Sequence, residues 1–169
     1  LESLDCSDAT RAEVEKTCAA LRQEVDVRAG ALHEVRVRAA HDLVERVTEA
    51  LRFLDMPKVR MEVRVANMAP GENGADDVEF LIATNPGEPV QPLARIASGG
   101  ELSRIMLALK SVMADADDID TLVYDEIDVG ISGRAAWKVG IKLRETAQGT
   151  KAVRRQVLCV PHLAQIAAQ

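Results

Sequence analysis

From Thr10 to Leu54 the chain contains no proline and a single glycine, Gly30. Nothing in that stretch stops a helix, and its apolar residues recur at Val14, Cys18, Leu21 and Val25, then at Leu32, Val35 and Ala39. Steps of three and four are the seam of a coiled coil, interrupted where Arg28 takes an apolar place. Such a seam needs a partner helix. Beyond Val35 the steps become uniform fours, Ala39, Leu43, Val47 and Leu51, so the stripe drifts as it does where a coil runs into a globular body. Thr10 with Glu13 forms a capping-box pattern at the expected start, and Pro57 ends the run. The alternative is two shorter helices hinged at Gly30 and folded on each other.

The remainder reads as mixed helix and strand. Val59, Met61, Val63 and Val65 alternate with Arg60, Glu62 and Arg64, the period of a half-buried strand. Asn67 to Asp77, with Pro70, Gly71, Asn73 and Gly74, is expected to be a loop, and Val78 to Thr84 a second strand pairing with the first. After the turn Asn85-Pro86-Gly87-Glu88-Pro89, a helix opens at Ser98 with Leu102, Ile105, Met106, Leu109, Val112 and Met113 on one face. A strand (Thr121 to Tyr124), a helix (about Gly133 to Thr146), a strand (Gln156 to Val160) and a final helical start follow. That alternation is the mark of an α/β fold with a parallel sheet and crossover helices. The division expected is a coiled-coil stub over 1–56 and an α/β lobe over 57–169. Aromatic residues are only 2% of the chain, so the core must be aliphatic.

Three cysteines, Cys6, Cys18 and Cys159, form no C-x-x-C pair and indicate neither a disulfide framework nor a zinc site. No apolar run approaches the roughly 18 residues needed to span a bilayer, and there is no signal-peptide pattern, so the expectation is a cytoplasmic protein without a membrane partner. The net charge of −6 argues against a surface that coats nucleic acid throughout, but the charge is segregated. Residues 113–128 carry seven carboxylates and no Lys or Arg, whereas 134–155 carry seven basic residues against Glu145 alone.

Three short segments carry chemistry. Ser98 is a good N-cap with Glu101 three residues on, and Gly99 and Gly100 remove side chains where the first N–H groups of a helix point outward, an opening suited to a phosphate. An ordinary helix start uses such a cap as well, but does not need both glycines. Asp125 and Glu126 end an apolar strand, which sets two carboxylates at the sheet edge where open α/β folds put their ligands. One can serve hydrated Mg²⁺ and the other orient a water. Asp128 adds charge without a distinct geometry. His162 follows the next apolar strand and emerges at the same edge if the two strands are parallel, whereas His33 and His41 lie on the long helix and read as surface or core residues. The chain has no G-x-x-x-x-G-K-[ST] phosphate loop, and so is not expected to bind ATP well alone.

The runs Ile96 to Lys110, Thr121 to Ala136 and Val157 to Ala167, with Phe80-Leu81-Ile82 and Asn85 to Pro89 before them, resemble the C-terminal half of the RecN family of bacterial DNA repair ATPases, which are similar to SMC proteins. The resemblance covers essentially the whole chain, loosely in the coil and closely from Val78 onward. It implies the C-terminal lobe of an ABC-type ATPase head, with ATP and Mg²⁺ as ligands, assembled with an N-terminal Walker A segment of the same protein across a long coiled coil. Ser98, Gly99, Gly100 and Glu101 would be the signature motif, contacting ATP on an opposing head of a homodimer. Asp125 would serve Mg²⁺, Glu126 would be the catalytic base, and His162 the switch histidine. Gly130-Ile131-Ser132-Gly133 would form the D-loop, with Ser132 where related heads carry Asp. Pro161 stands where Thr is common.

Arg134, Lys138 and Lys142 recur every four residues on one helical face, and two readings stand: contact with DNA phosphates, or a solvated face. The function implied is ATP-dependent head dimerisation and hydrolysis in recombinational repair of DNA double-strand breaks, in a nucleoid-associated protein. Two alternatives are a non-enzymatic coiled-coil interaction module and a metal-dependent phosphodiesterase using Asp125, Glu126 and Asp128. The latter lacks residues for a second metal.

Overall fold

The computed structural model describes residues 2–96, 98–113, 119–131, 133–149 and 155–168. Helix α1 (Glu2–Phe53) is followed by β1 (Arg60–Gly71), β2 (Gly74–Ala83) and β3 (Gln91–Pro92), a 3-10 turn (Leu93–Arg95), α2 (Gly99–Val112), β4 (Thr121–Tyr124), α3 (Gly133–Gln148), β5 (Gln156–Cys159) and α4 (Ala164–Ala167). The strands form a sheet in the order β1-β2-β3 and a separate parallel pair, β4-β5.

The long helix is continuous through Gly30, which removes the hinged alternative. It begins at Glu2, ahead of the expected Thr10: residues 2–9 contain neither glycine nor proline, so the helix runs on through the capping-box pattern. Glu13 therefore lies within the helix, where its backbone carbonyl accepts from Thr17 Oγ1 at 2.8 Å. At the other end the chain leaves the helix through Asp55, whose φ of 59° places it in the left-handed region.

The loop expected over 67–77 is mostly strand. Only Glu72 and Asn73 separate β1 from β2, and Gly74 makes the turn at a φ of +100°. Pro70 fits within β1 because that strand lies at the sheet edge, where a missing N–H breaks no ladder. The short β3, which carries Pro92, and the 3-10 turn after it have no sequence period long enough to show.

The chain divides into two compact units. The first comprises residues 1–40 and 64–79. Here Asp76, with a side chain only 1% exposed, accepts from Arg36 at 3.0 Å and pairs with His33 Nδ1 at 2.6 Å, while Arg36 also donates to the Asn73 carbonyl at 2.6 Å. The bonds with His33 and then Arg36 hold the Asp76 carboxyl below its usual range. Along α1 the seam residues Val14, Leu21, Val25, Leu32 and Val35 are exposed.

The second unit comprises residues 41–63 and 80–169 and holds the core. Val47 and Leu51 of the helix end, Leu54 just beyond it, Met61 and Ile82 of the hairpin, Ile105, Leu107 and Ala108 of α2, and Leu122, Ile127, Ala136, Val139 and Ile166 are buried in one cluster. It is aliphatic apart from Tyr124. The drift of the apolar stripe to steps of four matches this change, since Val47 and Leu51 are enclosed where the seam residues upstream are not.

Candidate nucleotide site at the carboxyl end of the parallel pair

Strands β4 and β5 pair in register from Thr121 with Gln156 to Tyr124 with Cys159, so both chains leave the sheet at the same end. Asp125 and Glu126 follow β4, and Pro161 and His162 follow β5. Helix α2 starts beside them. Ser98 caps it in extended conformation, its hydroxyl accepting from Glu101 N at 3.5 Å and its carbonyl from Leu102 N at 3.0 Å.

The glycine pair packs directly against the acidic turn. A Cβ at Gly99 would collide with Glu126 Oε2, and one at Gly100 would lie 2.8 Å from the Val129 carbonyl oxygen and 3.1 Å from that of Glu126. Gly100 thus has a packing reason within this chain, beside any contact with phosphate, whereas the neighbour of Gly99 is the movable end of a side chain. Two further bonds tie α2 to the turn: Ser103 Oγ donates to the Asp125 carbonyl at 2.7 Å, and buried Arg104 donates to that of Val129 at 2.8 Å. Burial lowers the Arg104 pKa, against the opposing charge of Glu101.

Glu126 has a φ of 55°, a left-handed conformation uncommon for a residue with a side chain. Asp125 Oδ1 accepts from its N–H at 2.9 Å and the Glu126 carbonyl accepts from Val129 N at 3.2 Å, which closes the turn. Both carboxylates are exposed. Beneath them, Tyr124 is buried with its hydroxyl unpartnered among the described residues, and burial pushes its pKa up to about 12. Burial, then the negative charges of Asp128 and Asp125, pushes the Cys159 thiol up as well.

Asp128 is the residue that sequence reasoning undervalued. Its side chain is 1% exposed, and it accepts from His162 N at 2.5 Å and Leu163 N at 2.8 Å, with His162 Nδ1 at 3.3 Å from its other oxygen. Burial alone would raise its pKa, but the bonds from Leu163 N, the His162 ring and His162 N outweigh burial and lower it. Nothing in the sequence links positions 34 residues apart; the parallel register does. Asp128 is thereby committed to the His162 loop, which removes it from the metal-ligand set of the phosphodiesterase alternative. Among the described residues no group of three or more His, Cys, Asp or Glu side chains could hold a metal ion.

The basic face of α3 already has partners. Lys138 Nζ lies 2.6 Å from Asp55 Oδ1 and Lys142 Nζ 3.2 Å from Glu145 Oε2, and the two ammonium groups stand 5.7 and 5.9 Å from the Phe53 ring centre. Arg134 is exposed. Ser132 lies outside the described residues. No helix among them is long and apolar enough to cross a membrane.

The chain is 42% identical to the DNA repair protein RecN of Halalkalibacterium halodurans, covering 99% of this chain and 30% of that protein. It is 40% identical to the DNA repair protein RecN of Vibrio cholerae, again over 99% of this chain and 30% of the relative. Among solved structures, the Smc head domain with an extended coiled coil from Pyrococcus furiosus, bound to the C-terminal domain of ScpA, matches with a TM-score of 0.61 at 15% identity, over 95% of this chain and 38% of that one. That likeness speaks to the fold alone. No protein-family model matches the chain. The chain thus spans about 30% of the length of these curated relatives, and by sequence it belongs to the RecN family, as a segment with the fold of an Smc-type head lobe.

Proposed function

We propose that this chain contributes the C-terminal lobe of an ATPase head in recombinational repair of DNA double-strand breaks, with residues 1–56 as one arm of its coiled coil and 57–169 as the lobe. The observation that carries this reading is the bare parallel pair. Parallel strands are covered on both faces in stable folds, yet on β4 and β5 Val123 and Leu158 are 68% and 48% exposed, and Val160 just beyond is 62% exposed. An apolar face of this kind, with two exposed carboxylates and a histidine at its carboxyl end, is half of a ligand site. A Walker A segment from the same protein supplies the other half.

The residues present suit Mg²⁺ with ATP. Magnesium retains several waters and is held by one or two carboxylates plus the phosphates, not by an all-protein cage, and Asp125 offers one exposed carboxylate for it. Bound there, the ion would neutralise charge building on the phosphoryl oxygens. Glu126, beside it on the hydrogen-bonded turn, accepts the proton of the attacking water. Ser98 and the N–H groups of Gly99 and Gly100 open α2, and in a homodimer they face the terminal phosphate held on the opposite head. Hydrolysis then loosens the dimer. DNA is the partner this cycle serves; of the basic stripe, Arg134 is the exposed member available to it.

Turnover of the chain alone, and of the chain rejoined to its Walker A segment, tests the reading. Negligible hydrolysis alone and restoration on joining are expected, and Glu126→Gln in the joined protein should accumulate ATP-bound dimers. Robust hydrolysis by the chain alone would overturn the split site.

A further inference from the structure

We propose that Asp128 is the positioning residue of His162, fixing its ring with the proton on Nδ1 and leaving Nε2 as the outward-facing acceptor. Three donors converge on this one side chain: the backbone N–H groups of His162 and Leu163 on Oδ2, and His162 Nδ1 facing Oδ1. The two backbone bonds fix where the loop after β5 sits, and the ring contact fixes how the imidazole is turned. An ionised carboxylate can only accept, so the ring nitrogen facing it must donate. The hydrogen bonds that lower the Asp128 pKa keep that carboxylate ionised at neutral pH.

The remaining ring nitrogen, Nε2, is then unprotonated in the neutral imidazole. The imidazole is 72% exposed while its carboxylate partner is enclosed, so Nε2 is the nitrogen open to a ligand. An Nε2 lone pair accepts from a water or hydroxyl; it cannot donate to a phosphoryl oxygen unless the ring takes a second proton. With only its Nδ1 proton on the ring, His162 faces the donor side of the reaction, the attacking water. Pro161 supports this placement, because it fixes φ at the loop entrance and brings no competing N–H.

The tautomer rests on geometry alone; its catalytic consequence rests on the ATPase reading above. Long-range ¹⁵N–¹H NMR of ring-labelled histidine in this chain at neutral pH tests the first, with His162→Gln used to assign the signal. Native His162 should be the Nδ1–H tautomer. In Asp128→Asn the amide can turn an N–H toward the ring, and the signal should switch to Nε2–H. An Nε2–H tautomer in the native chain would overturn the proposal, and that measurement stands even if the variant fails to fold. In the joined protein, Asp128→Asn should lower kcat by roughly 10-fold or more, as loss of a positioning partner does, with KM for ATP little changed. If instead His162→Ala leaves turnover intact, the catalytic role of His162 fails while the tautomer result stands.

Discussion

Gly99 lies against the carboxylate of Glu126, so close that a methyl group at position 99 would run into Oε2. One residue on, Gly100 lies against backbone, under the carbonyl groups of Val129 and Glu126. The helix that opens with these glycines and the turn that carries the carboxylates are therefore one packed assembly. The difference between a side-chain neighbour and a backbone neighbour separates the two positions experimentally.

Gly100→Ala should destabilise the chain by about 1–3 kcal/mol, because the added methyl meets atoms that cannot rotate away. Gly99→Ala should change stability by less than about 1 kcal/mol, since the Glu126 side chain can swing aside and alanine favours the helix. Urea unfolding of the two variants checks this. Equal losses would mean that the turn holds Glu126 rigidly, or that both glycines relax.

The left-handed backbone at Glu126 gives a second comparison. Glu126→Gly and Glu126→Ala both remove the carboxylate, but only alanine retains the steric conflict of a Cβ at positive φ. The glycine variant should be the more stable by about 1 kcal/mol. Thermal unfolding of the pair measures the strain at this position without reference to activity, and equal stabilities would show that the turn relaxes.

Two of the described carboxylates make stability depend on acid pH. Asp76 is held below its usual range by His33 and Arg36, and Asp128 by the donors of the His162 loop in spite of its burial. A carboxyl whose folded pKa is depressed adds stability above its unfolded value, near 3.9, and that contribution is lost as pH falls through the folded value. Stability from this source should be level from neutral pH down to about 4 and decline below it. Protection factors of the His162 and Leu163 amides should fall in the same range, and protection unchanged down to about pH 2 would contradict the assignment.

Much of this architecture was legible because periods are local. The alternation Met61, Val63, Val65 and the steps of four at Val47 and Leu51 mark a strand and a docked helix end, and both are where they were expected. Thr121–Tyr124 is the strand bounded as read, since apolar residues are flanked there by Asp120 and Asp125. The capping pattern at Thr10 misled because a cap signal works only where the preceding residues cannot be helical. Pro70 and Gly71 misled because an edge strand tolerates residues that an interior strand would not. At the site, Ser98, Asp125, Glu126 and His162 could be picked out as residue types at element ends. The role of Asp128 could not, because it arises from strand pairing across the sequence. The same holds for Lys138 and Lys142, whose four-residue spacing said nothing of the Phe53 ring and Asp55 carboxylate they meet.

The two ends of α1 make opposite claims on leucine. Leu51 is 1% exposed within the aliphatic core, whereas Leu21, on the seam, is 56% exposed. Leu51→Ala should destabilise the chain by about 2–5 kcal/mol, through lost burial and the cavity left behind. Leu21→Ala should fall within about 0.5 kcal/mol in the chain alone, where the methyls it removes already face water. Urea unfolding at two protein concentrations measures both. A large loss for Leu21→Ala that grows with concentration would show the seam closing between copies of this chain. A negligible loss that becomes substantial only when the other coil arm is supplied would identify that arm as the helix the seam is built to meet.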